Sequence, residues 1–260
     1  MNSLPAIFVS HGGPKMAVQE SPARHFLQTL HDHHPSPKSI LMISAHWETT
    51  EPTVGATDDL ETIHDYYGFP RALYDLHYPA KGDPDLARRV AALIADANLG
   101  AASSSPRGLD HGAWLPLMLA YPDGEIPITQ LSLLTVGGPA WHFDLGAALR
   151  PLRDEGVLIL ASGALTHNLR EIDREAPPGM AADWVAAFSS WVSEQVLAGR
   201  SEDLIRYRER APHAARNHPT EEHFLPLFVA LGAATPGANG RHLHQSFNYG
   251  VLAMDAYAWD

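Results

Sequence analysis

Four apolar runs of strand length punctuate the chain: AIFVS at 6–10, ILMIS at 40–44, PITQLSLL at 127–134 and GVLILASG at 156–163. Those at 6–10, 40–44 and 157–161 are apolar nearly throughout instead of alternating, the pattern of strands covered on both faces. Between them the period changes. ESPARHFLQTLHDHH (20–34) predicts a crossover helix stopped by Pro35 and Pro37. DPDLARRVAALIADAN (83–98) offers Asp83 as N-cap, Pro84 at the first helical position and a stripe of Leu86, Val90, Leu93 and Ile94. Two more helices are predicted, from Ala181 to Leu197 and from Glu221 to Leu231, the latter capped by Thr220. The aromatic tail HLHQSFNYGVLAMDAYAWD predicts one or two closing strands. Strand and helix alternate, which predicts an α/β fold: a single-domain three-layer sandwich over residues 1–260, with a central, mainly parallel (mixed) sheet and helices on both faces. The long loops at 50–82 and 207–219, rich in histidine, tyrosine and proline, are where a binding surface is expected.

Composition narrows the chemistry. The balance of 45% apolar and 18% charged residues is ordinary for a globular protein, and a net charge of −12 with no basic stretch argues against a nucleic-acid partner. The absence of cysteine removes disulfides, thiolate metal sites and thiol nucleophiles together. The amino-terminal stretch MNSLPAIFVSHGGP has no charged leader and too short an apolar run for a signal peptide or membrane span, so a cytoplasmic protein with no membrane partner is expected. One number stands out, 16 histidines against 18 lysines and arginines. Excess imidazole without cysteine points to metal ligation or proton transfer.

The histidines are not scattered at random. AIFVS runs into His11, ILMIS into Ala45 and His46, and GVLILASGALT into His167. Open α/β sheets bind ligands in the crevice outside the carboxyl ends of their strands, so neighbouring strands would make these imidazoles converge at the lip of the sheet. His111 opens the apolar helix in LDHGAWLPLMLAYP, and His223 falls in the first turn predicted for 221–231. There the helix dipole disfavours imidazolium, and a neutral imidazole is the form that binds a divalent cation. Any one of these is more often an ordinary hydrogen-bonded histidine; the five together favour a metal. The HDHH run (31–34) reads as a solvated loop, and Asp58, Asp59 and Glu61 as surface charge. HGGP lacks the lysine and spacing of a phosphate cradle, and Ser10, Ser44 and Ser162 lie near histidines without a G-x-S-x-G elbow.

FVSHGGP, SAHWE, TIHDYYGFPRALYDLHYPA, LDHGAWLPL, ASGALTHNL and HPTEEHFLPL follow one another across nearly the whole chain. The ordered set resembles the 4,5-DOPA extradiol dioxygenase family, within the LigB-like class III extradiol ring-cleavage dioxygenases. The resemblance implies one non-haem ion per chain, Fe(II) first and Zn(II) as the alternative. It implies a side-chain-bearing catechol opened with O2 to a muconic semialdehyde-type product. Matched motif by motif, it implies His11, His46 and His223 as metal ligands, His167 as acid and base, and His111 beside them steering the oxygen chemistry. The protocatechuate branch uses a glutamate as third ligand, which leaves Glu221 or Glu222 as an alternative to His223. Within TIHDYYGFPRALYDLHYPA, His64, Tyr67 and Tyr74 stand either as the aromatic lining of the substrate pocket or as a packed loop at the sheet edge. Arg71 or Arg216 is a candidate partner for a substrate carboxylate. Two other functions stay open: a zinc-dependent hydrolase on the same scaffold, and a non-catalytic LigB-like binding protein. A monomer or small homo-oligomer is expected.

Overall fold

The computed structural model describes residues 3–260; Met1 and Asn2 of the amino-terminal stretch lie outside it. Its strands are β1 (Ala6–Ser10), β2 (Ser39–Thr49), β3 (Thr53–Gly55), β4 (Ser103–Ser105), β5 (Ile128–Leu134), β6 (Val157–Gly163), β7 (Arg241–His244), β8 (Phe247–Asn248), β9 (Leu252–Ala253) and β10 (Ala256–Trp259). Eight of them form one mixed sheet in the order β4-β3-β5-β2-β6-β1-β10-β7, while β8 and β9 pair separately. The inner four, β5-β2-β6-β1, are parallel. β1 and β6 are buried at every position, as unbroken apolar runs require. The tail supplies the mixed character: β10 lies antiparallel to β1, and β7 antiparallel to β10.

The principal helices are α1 (Pro22–Gln28), α2 (Pro84–Asp96), α3 (His111–Ala120), α4 (Gly138–Leu149), α5 (Asp183–Leu197) and α6 (Leu225–Ala233). In one layer α4 packs along α6, α6 lies on β6 and β1, and α2 packs against α4 and β3. In the other, α1 and α3 pack together and α3 covers β2 and β6. The sandwich of helices on a mixed sheet is the architecture expected from the alternation of elements. No helix among the described residues is long and apolar enough to cross a membrane.

Several boundaries differ from the sequence expectation. α2 keeps its predicted Asp83 cap, whose carboxylate accepts from Leu86 N, and buries the predicted stripe. α1 stops at Gln28, where Thr29 turns its hydroxyl back to Phe26 O, and a short 3-10 turn (Leu30–His33) follows. α6 begins at Leu225, not at Glu221, and Thr220 does not cap it. The cause is Pro226: inside a helix begun at 221, its ring would press on the carbonyl of Glu222, four residues back, and it would donate no hydrogen bond. Residues 221–224 turn instead. α4 has no counterpart in the sequence expectation.

Candidate metal centre

Backbone hydrogen bonds, not side chains, first bring the distant histidines together. β1 ends at Ser10, and His11 N donates to Gly163 O at the end of β6. The next residue of that exit, Ala164, donates through its N–H to His223 O at 2.8 Å, and His167 N donates to Asn217 O at 2.9 Å. The loop after β6 is thus stitched to the segment before α6. His46 arrives differently from expectation: β2 does not stop before it. The strand leaves β6 after Ser44 and its pairing with β5 breaks between Ile43 and Glu48, so His46 sits in an irregularity inside the strand. His111 is the first residue of α3, whose cap Asp110 is fully buried and accepts from Ala113 N, Ser44 Oγ and Gln130 Nε2.

The ligand atoms of His11, His46 and His223 lie within 4.8 Å of one another. His11 Nε2 and His46 Nε2 are 3.1 Å apart. His167 stacks on His223 with ring centroids 3.4 Å apart, and the His111 ring lies 4.1 Å from that of His46. Proton positions follow from the partners of the other ring nitrogens. Ser162 Oγ gives its only proton to Gly112 O at 2.5 Å, so it can only accept from His11 Nδ1 at 2.9 Å. Glu222 accepts from His223 Nδ1 at 2.9 Å, and Asp65 faces His46 Nδ1 at 3.4 Å. His11 and His223 therefore carry the proton on Nδ1 and keep a lone pair on Nε2, which on His11 faces His46 Nε2.

Burial drives the electrostatics. It pushes the His11 and His223 imidazoles well below their usual pKa, with neighbouring histidines acting in the same sense. Burial and His111 take His46 down to about 4 against the pull of Asp110 and Asp65, and burial takes His167 to about 4 as well. Burial would raise Asp65, but hydrogen bonding and proximity to His111 hold it at about 2. The trio is neutral near pH 7, with the His11 and His46 Nε2 atoms facing each other 3.1 Å apart. A divalent cation is bound by neutral imidazoles converging in this way, and the Nδ1 partners of His11 and His223 are the outer support such ligands use. The donor set fits a divalent ion that accepts imidazole: iron, zinc or copper.

The family described as the catalytic LigB subunit of aromatic ring-opening dioxygenase matches residues 4–256. The chain belongs to the LigB family. It is 42% identical over 256 residues to the 4,5-DOPA dioxygenase extradiol of Beta vulgaris, covering 96% of this chain and 94% of that one. To the protein of the same name from Escherichia coli (strain K12) it is 39% identical over 237 residues, covering 88% and 85%. A crystal structure of an uncharacterized Escherichia coli K12 protein superposes with a TM-score of 0.83 at 32% identity, over 99% of this chain and 100% of that one. LigB dioxygenases are metal-dependent, and the imidazole cluster of this LigB chain is where an ion can be held.

Other residues singled out in the sequence fall into place around the LigB cluster. His64 donates to Leu76 O and Tyr74 to Tyr66 O, and both rings pack beside Tyr66. Tyr67 is 91% exposed and stands outside this aromatic group; its neighbour Tyr66 is the tyrosine that meets His111, edge-on at 5.7 Å. Glu221 is turned away, bonded to Tyr207 and Arg208, whereas Glu222 supports His223. Arg71 is exposed and paired with Asp75; Arg216 is paired with Glu171 and lies over Trp184. His223 stands two residues before α6 instead of in its first turn. Asp65 and Asp110 escaped the sequence reading, and Ser162 was noted near a histidine but weighed only as a nucleophile. Ser162 left one usable sign, a hydroxyl in an otherwise apolar buried run, which needs a partner.

Proposed function

We propose that this LigB chain opens a side-chain-bearing catechol by extradiol cleavage with O2. In this proposal residues 1–260 act as one domain, and His11, His46 and His223 hold one ion, Fe(II) in first place and Zn(II) as the alternative. The observation that carries it is the convergence of three neutral imidazoles flanked by two more, His111 and His167. Relatives named 4,5-DOPA dioxygenase extradiol support a catechol with a side chain. When bound, such an ion supplies Lewis acidity at the phenol oxygens and the one-electron chemistry that dioxygen needs, and zinc, being redox-inert, supplies only the first.

The chain's own groups handle the protons. The His167 ring is held neutral by burial, and no protein hydrogen bond among the described residues engages its nitrogens. It is therefore free to accept a catechol hydroxyl proton and to return it as the ring opens. His111 works under a constraint. Its Nδ1–H donates to Asp65 Oδ1 at 2.9 Å, so the atom left to meet the substrate is Nε2. Tyr66, half-buried and edge-on to His111, is the aromatic ring placed to meet a flat substrate, with Trp114 buried behind it.

Anaerobic reconstitution with Fe(II), followed by air and a panel of catechols, should give the yellow ring-fission product. His46→Ala should lose both metal and turnover. His167→Ala should keep the metal, measured by elemental analysis, and lose about 10²–10⁴-fold in kcat. Turnover in the strict absence of oxygen, or full activity in both variants, would contradict the proposal.

A further inference from the structure

Pro116 lies inside α3, four residues after Gly112. Proline is among the least favourable residues for a helix interior, because it lacks an N–H and crowds the carbonyl one turn back. That carbonyl, Gly112 O, therefore has no i+4 donor. It is not left orphaned: Ser162 Oγ, at the end of β6, donates to it at 2.5 Å. Ser162 is fully buried and its hydroxyl has one proton. Once that proton is committed to a carbonyl, which only accepts, the same oxygen can only accept from its other partner, His11 Nδ1 at 2.9 Å.

We propose that Pro116 sets the proton position of His11, acting through the Gly112 carbonyl and the Ser162 hydroxyl. A serine hydroxyl by itself rotates and imposes no tautomer, since it donates or accepts equally well. The carbonyl released by the proline makes it one-way. His11 is held as the Nδ1–H form, and its bare Nε2 is presented toward His46 Nε2. His223 obtains the same result from a carboxylate, Glu222. His11 is only 2% exposed, and a hydroxyl with fixed polarity does the work there without burying another charge. Pro116 and Ser162 are positioning residues, and their effect rests on the proposed role of His11 as a metal ligand.

Two measurements test this without substrate. Long-range 1H–15N NMR of the metal-free wild type, with His11 assigned by comparison with His11→Gln, should show the Nδ1–H tautomer; an Nε2–H tautomer would overturn the proposal outright. Zn(II) titration against a competing chelator should show Ser162→Ala binding about 10–100-fold more weakly, with His11 no longer in a single tautomer. Pro116→Ala restores a donor to Gly112 O and should move both readouts the same way by a smaller amount, with far-UV circular dichroism unchanged. Wild-type affinity and tautomer in both variants would remove the whole device. A weakened Ser162→Ala beside an unaffected Pro116→Ala would remove the proline from it. Absence of ring cleavage in a wild type that binds Zn(II) and shows the Nδ1–H tautomer would count against the enzymatic function alone.

Discussion

A Cβ on Gly112 would lie 2.4 Å from Ser44 Oγ, 2.8 Å from His46 Cδ2 and 3.1 Å from His11 Cε1. Ser44 cannot give way easily, because its hydroxyl is held by buried Asp110 at 2.6 Å. Two of the three converging imidazoles thus come together across a residue that must have no side chain. Alanine is the better helix former by about 1 kcal/mol, which would favour Gly112→Ala on propensity alone. The overpacked contact costs about 1–3 kcal/mol in the opposite sense. The variant should remain folded, somewhat destabilised in urea, while kcat/KM falls about 100-fold through displaced imidazoles. Wild-type kcat/KM in Gly112→Ala would show that the His11–His46 spacing has slack. At this scale the histidines were legible as motifs, but their supports were not. Asp65 meets His111 across 46 positions and Ser162 meets His11 across 151, and neither pairing leaves a local pattern.

Helix α6 carries His223 just ahead of it and is seated on α4 by two glycines. A Cβ at Gly146 would stand 2.1 Å from Val229 O, and one at Gly232 would stand 1.9 Å from Phe143 O. Backbone approaches backbone at both points, so neither helix can shift without the other. Gly146→Ala, again an improvement in propensity, should lower stability by about 1–3 kcal/mol, or several degrees in melting temperature. Zn(II) affinity should weaken with it, since His223 moves with the start of α6. A melting temperature at or above wild type would mean that the pair is not closely seated. The elements that sequence patterning captured are those with one clear environment: β1, the first half of β2, β6, and α2 with its cap, proline and stripe. α4 was missed because it opens on glycines and proline and is wedged between α6 and α2, which blurs any single apolar stripe. The start of α6 was misplaced because the weight of Pro226 exceeded that of a plausible Thr220 cap. β3 and β4, three residues each, are set by tertiary pairing alone.

Over the whole molecule, the sixteen histidines fall into three groups: five rings at the candidate metal centre, nine exposed or half-buried, and two, His142 and His218, buried elsewhere as hydrogen-bonding groups. His142 is the clearer of these two. It is fully buried, its Nδ1–H donates to Gly138 O at 2.6 Å, and its Nε2 accepts from Leu134 N at 3.2 Å. Burial, outweighing the Gly138 bond and Glu221, takes its pKa down to about 4, and His218 in the core falls to about 3. Protonating His142 would set an N–H against the N–H of Leu134. In the unfolded chain the same ring takes a proton near pH 6.5. Between about pH 6.5 and 4 the unfolded state therefore binds the extra proton, and stability falls as pH falls through that window. For His142 the loss approaches about 3 kcal/mol at the acid end, at about 1.4 kcal/mol per pKa unit. His142→Gln retains an acceptor for Leu134 N but has nothing to titrate. Urea unfolding of both proteins, metal-free and in chelator so that ligand linkage does not intrude, should find the variant less stable at pH 7.5. The gap should close by about 3 kcal/mol by pH 4. Parallel stability curves over that range would mean that His142 takes its proton equally in both states, and that acid sensitivity arises elsewhere in the fold.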